Sequence, residues 1–140
     1  MTDKKFNAAT RFQKNFDSMI NNVKEKIEDP VPKMILEVAV DILKNRKDPI
    51  IDDFIAISSP EIWKKIHEKD EKCVIEFLLM LLAKFNIPIN SEMVQNIFSK
   101  DKELYWKYIH SFVRIAIHHL NEKGYKQLAE PLSKEWNIKL

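Results

Sequence analysis

The chain of 140 residues carries 23 Lys and Arg against 21 Asp and Glu, a formal net charge of +2, with 45% apolar and 31% charged residues. That length suits one domain, which can bury roughly 68% of its unfolded surface without disulfides or a structural metal. The near balance of charge argues against a dedicated DNA binder, since those show a stronger and more clustered excess. One glycine and one cysteine exclude glycine-rich phosphate cradles, an intramolecular disulfide and a multi-cysteine zinc site, and they favour helices over hairpins.

Residues 1–7 are polar and are expected to be flexible. The first helix should run from about Ala8 to Glu28, with Phe12, Phe16, Met19, Val23 and Ile27 in one apolar arc. "DPVP" ends it, because proline cannot continue the hydrogen-bond ladder. A second helix, with Pro32 in its first turn, extends to about Lys47. Its polar strip is narrow (Lys33, Glu37, Asp41, Lys44), so most of its circumference is expected to be buried. Asp48 and Pro49 open a short third helix, "IIDDFIAIS", with Asp48 as its cap. Ser59 caps a fourth, "PEIWKKIHEK". Asp70 caps a fifth, over about 71–85, which is apolar on almost every side and so is expected to be central. "NIPIN" forms a turn, "SEMVQNIFSK" a sixth helix, and Asp101 caps a seventh and longest helix reaching Glu122, with Gly124 just past its end. "YKQLAEPLSKEWNIKL" reads as a terminal helix broken and restarted at Pro131.

The fold class is therefore all-α: a compact single-domain bundle of about 6–8 helices over residues 1–140, with the second and fifth helices central and 125–140 docked as a C-terminal segment. No a/d heptad is sustained long enough for a coiled coil. One apolar helix wrapped by amphipathic ones is similar in plan to the Bcl-2-like fold. The Asn-Trp-Gly-Arg signature of that family is absent, and a plan alone does not carry function.

Candidate chemistry is sparse. His118 and His119 are adjacent, but helical neighbours diverge by about 100°. With Tyr105 set to zero, His119 falls at about −40°, at the edge of the core face, and His118 at about −140°, facing water. A helical zinc pair needs histidines four apart, whereas the residue four after His110 is Arg114. Glu103, Lys107, His110, Arg114, His118 and Asn121 read as a solvated stripe, and His67 as exposed. His119 reads as a packed residue donating one hydrogen bond to a carbonyl or carboxylate. Cys73 opens an apolar helix, where burial raises a thiol pKa and makes it inert. The serines at helix starts are explained by capping, and Asp52 and Asp53 by the dipole of the third helix. No catalytic residue, metal ligand or cofactor is assigned, and the protein is read as not an enzyme.

Two binding classes remain. The first is a non-enzymatic protein–protein interaction or assembly module, an adaptor or scaffold for which self-association is included, with Trp63, Trp106, Tyr108, Trp136 and Ile138 as partner-binding residues. The alternative is a nucleic-acid-binding protein using the lysine and aromatic surface of residues 102–122, with Lys100, Lys102, Lys107 and Arg114 as contacts. Against it stand three facts: Asp101 and Glu103 interrupt the cations, Trp106 and Tyr108 diverge, and arginine occurs only at positions 11, 46 and 114. Abundant Lys, Ile, Asn and Phe suggest an AT-rich genome. The polar N-terminus and the shortness of the longest apolar run, "CVIEFLLMLLA", predict a cytoplasmic or nuclear protein with no membrane span.

Overall fold

The computed structural model describes residues 7–46, 48–87 and 89–140, and those residues form helices and connections with no strand. Eight helices follow in order: α1 (Ala8–Lys26), α2 (Pro30–Lys44), α3 (Ile50–Ala56), α4 (Pro60–His67), α5 (Glu71–Lys84), α6 (Ser91–Lys100), α7 (Lys102–Glu122) and α8 (Lys126–Glu135). The chain is thus an all-α bundle, as its composition predicts. The expected flexible segment over 1–7 lies outside the described residues except for Asn7, whose Oδ1 accepts from the Thr10 N–H at 3.1 Å and caps α1.

Helix starts follow the local code closely. Asp29, Ser59, Asp70 and Asn90 each accept a backbone N–H of the first turn that would otherwise be unpaired. Two expected caps differ. Pro49, not Asp48, occupies the cap position of α3, and no side chain bonds there. Asp101 precedes α7 as predicted but makes no capping hydrogen bond. Where proline already sets the entry geometry of α3, no carboxylate is needed to start it.

Helix ends show one motif four times. After α7, Gly124 takes a φ of +92°, its N–H donates to the Asn121 carbonyl, and the Tyr125 N–H donates to the Leu120 carbonyl at 2.9 Å. This is the Schellman arrangement, which satisfies two orphan carbonyls. Asn86 and Asn137 close α5 and α8 in the same way, and Lys69 closes α4. Asparagine tolerates the left-handed region; lysine does not, and Lys69 at φ +59° carries a backbone cost of about 1–2 kcal/mol. Pro131, expected to break the terminal helix, instead sits inside α8. Pro131 and Gln127, the residue four before it, are both exposed, so the lost ladder bond lies on the solvent side of the helix.

The core is assembled by α1, α3, α5 and α7. α7 contributes nine buried residues, from Tyr105 to Leu120, and packs against both α1 and α8. α5 buries Val74, Phe77, Leu78, Leu81 and Leu82 but leaves Met80 half-exposed. α8 is anchored by Ala129, Leu132 and Trp136, all buried, so the C-terminal segment docks on its own bundle.

The prediction that α2 is central fails. Only Leu36, Ala39 and Leu43 are buried, and the main neighbour of α2 is α1. The interior is already filled by α5 and α7, and α2 lies along its outside. A pattern apolar nearly all round cannot tell which side is covered.

The helix stops generate a paired prediction. Nothing lies within 4 Å of a Cβ added at Gly124, so Gly124→Ala should cost only its conformational penalty, about 1 kcal/mol, or a fall of roughly 3–5 °C in thermal midpoint. Lys69→Gly should move the other way, raising stability by about 0.5–1 kcal/mol once the extra chain entropy of glycine is deducted. Thermal and urea denaturation of the two variants checks both signs.

Candidate functional site

Two surface features stand apart from ordinary solvated helix. The first lies along the polar side of α7. Lys102, Glu103, Trp106, Lys107, His110, Ser111 and Arg114 line a cleft of about 480 Å³, and Lys69, from the turn after α4, lines it too. A second cleft of about 360 Å³ shares Ser111 and Arg114 and adds Arg11, Asn15, Ile115 and His118. Of the four cations singled out in sequence, Lys102, Lys107 and Arg114 meet here, whereas Lys100 lies on α6 outside both clefts. Lys69 and Arg11 were not legible as members, because they arrive from 33 or more positions away in the chain.

Several contacts hold this surface in place. Lys102 Nζ lies 3.2 Å from Glu71 Oε1; both are largely exposed, so the pair adds little stability. Asn15 Nδ2 donates to Ser111 Oγ at 2.6 Å and ties α1 to α7 beside the second cleft. Trp106 meets Phe98 edge to face at 5.5 Å and His110 at 5.7 Å, which fixes its ring on the cleft wall.

Behind the cleft, His110 is drawn inward rather than solvated. Its ring lies parallel to His67 at 6.5 Å, and Trp136 from the C-terminal segment stands edge-on to both, at 4.8 Å from His67 and 5.2 Å from His110. His110 Nε2 is 3.1 Å from the Ile66 carbonyl. A carbonyl only accepts, so Nε2 carries the proton in the neutral ring. Burial lowers the pKa of His110 below its ordinary 6.5, and Lys69, His67 and Arg114 push the same way, against the hydrogen bond to Ile66.

The other expected site residues are placed as follows. Trp63 and Trp136 are buried, at 3% and 1% exposure, and their indole N–H groups have no hydrogen-bond partner. Both pack in the core, and Trp63 also lines a shallow pocket of about 90 Å³ with Leu120, Leu128 and Leu132. Tyr108 turns away from Trp106 and shares a 2.8 Å hydrogen bond with Ser18, while Ile138 is partly buried against the core. His119 is buried and its Nε2 donates to Asp52 Oδ1 at 3.2 Å, the packed, singly bonded imidazole that the helical angle predicts. His118 lines the second cleft, on the other side of the helix. Burial, then Asp70, raises the Cys73 thiol, which keeps it protonated and unreactive. Among the described residues, no group of three His, Cys, Asp or Glu side chains is arranged to hold a metal ion, and no helix is long and apolar enough to cross a membrane.

The second feature is the outer face of α2. Val31, Met34, Ile35, Val38 and Ile42 are 57%, 59%, 44%, 54% and 63% exposed. At 100° per residue all five fall within an arc of about 100°. At ordinary side-chain areas they amount to roughly 450 Å² of contiguous apolar surface, within the range of the largest and often functional patches on a monomer. Among the described residues, a small interior cavity of about 30 Å³ lies between α1, α5, α6 and α7, lined by aliphatic side chains with Phe98 and Tyr105.

No protein-family model matches the sequence, and no curated protein or solved structure is significantly similar to it.

The buried imidazole gives a pH prediction. Because the folded pKa of His110 is depressed, its contribution to stability is complete above the unfolded value of 6.5 and is lost as pH falls from there through the folded pKa. Thermal midpoints should decline as pH falls below 6.5, and His110→Gln should flatten that decline. In NMR titration the His110 ring should have its midpoint below 6.5.

Proposed function

We propose that the protein is a non-enzymatic assembly module that associates with a second copy of itself through the outer face of α2. The observation that carries this reading is the exposed apolar stripe. Val31, Ile35, Val38 and Ile42 are spaced four, three and four residues apart, which is the alternation of a helix–helix seam. The run is too short for a coiled coil standing alone, but α2 is already held as a helix by the bundle.

The stripe is also self-complementary. In an antiparallel pair related by a two-fold axis between residues 36 and 37, Val31 faces the other copy's Ile42 and Ile35 faces its Val38. Each layer then holds one isoleucine and one valine, so the seam has uniform width, as an isologous interface requires. Two copies would bury roughly 900 Å² of apolar surface, which with its polar rim lies at the lower end of specific interfaces. Association costs about 4–15 kcal/mol in lost freedom, and buried area does not convert directly to affinity. A contact at the lower end of interface size is expected to give a weak, concentration-dependent dimer.

Sedimentation equilibrium across a hundredfold range of concentration tests this. The native chain should pass from monomer towards dimer mass, with little sensitivity to salt. Val38→Lys combined with Ile42→Lys should remain monomeric throughout and keep the thermal midpoint of the monomer, since both side chains are more than half exposed. A native chain that stays monomeric over the whole range, or a double variant that still dimerises, overturns the proposal.

A further inference from the structure

We infer that the basic groove along α7 binds single-stranded nucleic acid, a role separate from the α2 seam. The overall charge of +2 hides a local excess: Lys69, Lys102, Lys107 and Arg114 surround the main cleft, against Glu103 in its lining and Glu71, which lies 3.2 Å from Lys102. Through Ser111 and Arg114 the groove continues to Arg11, so two of the chain's three arginines lie on one path. Arginine is scarce in the sequence but concentrated in space, and it is the side chain best shaped to grip a phosphate.

The form of the groove selects the ligand. From Lys102 to His118 the helix advances by roughly 24 Å at 1.5 Å per residue, a path that several nucleotides of extended strand would occupy. A compact anion would need a closed pocket with a buried cation, whereas these cations stand along an open channel. Trp106 forms part of the channel wall, partly exposed and held by Phe98 and His110, beside Lys102 and Lys107. A fixed indole between cations stacks on an unpaired base, and a base already paired in a duplex cannot present its face to a concave wall. Lys69 adds an independent indication. It occupies the left-handed position that glycine fills after α7, and the strained turn brings a cation to the cleft where glycine would bring none.

The test is fluorescence anisotropy of a labelled thymidine dodecamer titrated with the full chain. Binding is expected at 50 mM salt, with tryptophan quenching, and should weaken with salt along a log–log slope of about −2 to −3, as three or four phosphate contacts on a single strand require. Lys107→Glu with Arg114→Glu should weaken it at least tenfold, and Trp106→Ala at least fivefold, with circular dichroism unchanged. The matched reversal Lys44→Glu with Lys84→Glu, at exposed lysines outside both clefts, should alter affinity less than twofold. No binding at 50 mM salt overturns the inference. So does equal loss in the matched pair, which would show diffuse attraction, and so does equal or tighter binding of duplex DNA or poly-glutamate. Because these variants leave the stripe on α2 intact, failure here does not bear on self-association.

Discussion

Phe54 is the point on which the bundle converges. Its ring lies 5.1 Å from Phe12 of α1, 6.2 Å from Trp63 of α4, 5.2 Å from Phe77 of α5 and 6.0 Å from Phe112 of α7, and all five side chains are at most 3% exposed. It is carried by α3, a helix of seven residues that could not persist alone. The short helix is therefore held by its buried side chains, Ile50, Ile51 and Phe54, rather than by its own ladder. The ion pair between Arg46 and Asp53 and the hydrogen bond from His119 to Asp52 brace it on either side of that ring. Several edge-to-face and tilted contacts around one ring also specify orientation, which aliphatic packing alone does less sharply.

This nucleus decides what is left outside. Once α1, α3, α4, α5 and α7 have met around Phe54, the remaining apolar surface of α1 accepts one edge of α2, through Leu36, Ala39 and Leu43. Another edge of α2 is as apolar as the buried one and stays exposed among the described residues. Its exposure is thus a consequence of core geometry rather than of a loosely made helix: α2 begins with a side-chain cap from Asp29 and is tied to α1 by Lys24 and Glu37 at 3.5 Å. A helix fixed in place with one apolar face covered and another bare is suited to join two bodies.

What could be read beforehand was local. Caps at Ser59 and Asp70, the stop at Gly124 and the inward turn of His119 depend on residues within one or two helical turns, and they stand as read. The errors are of another kind. For α2, hydropathy reports how apolar the helix is and not which of its apolar sides meets the core. At Pro131 a break is expected where the orphaned carbonyl is buried, whereas Gln127 is on the exposed side. The candidate cleft was half legible: Lys102, Lys107 and Arg114 share one helix face and can be counted by angle. Lys69, Arg11 and the stack of His67, His110 and Trp136 come together only when α1, α4 and the C-terminal segment close on α7.

The same closure explains why average properties understate this molecule. Net charge and arginine count are sums over a surface, while binding is decided over a patch of a few hundred Å². Folding places the lysine of one turn, the face of one helix and the first turn of α1 side by side, and leaves many of the chain's carboxylates elsewhere, among them Glu37, Asp52 and Asp53 with partners of their own. Apolar character is divided likewise, between a saturated interior and one bare stripe. Both surfaces follow from the way α7 is used: its apolar face gathers the core, its polar face becomes the wall of the groove, and the helix displaced from the interior carries the seam.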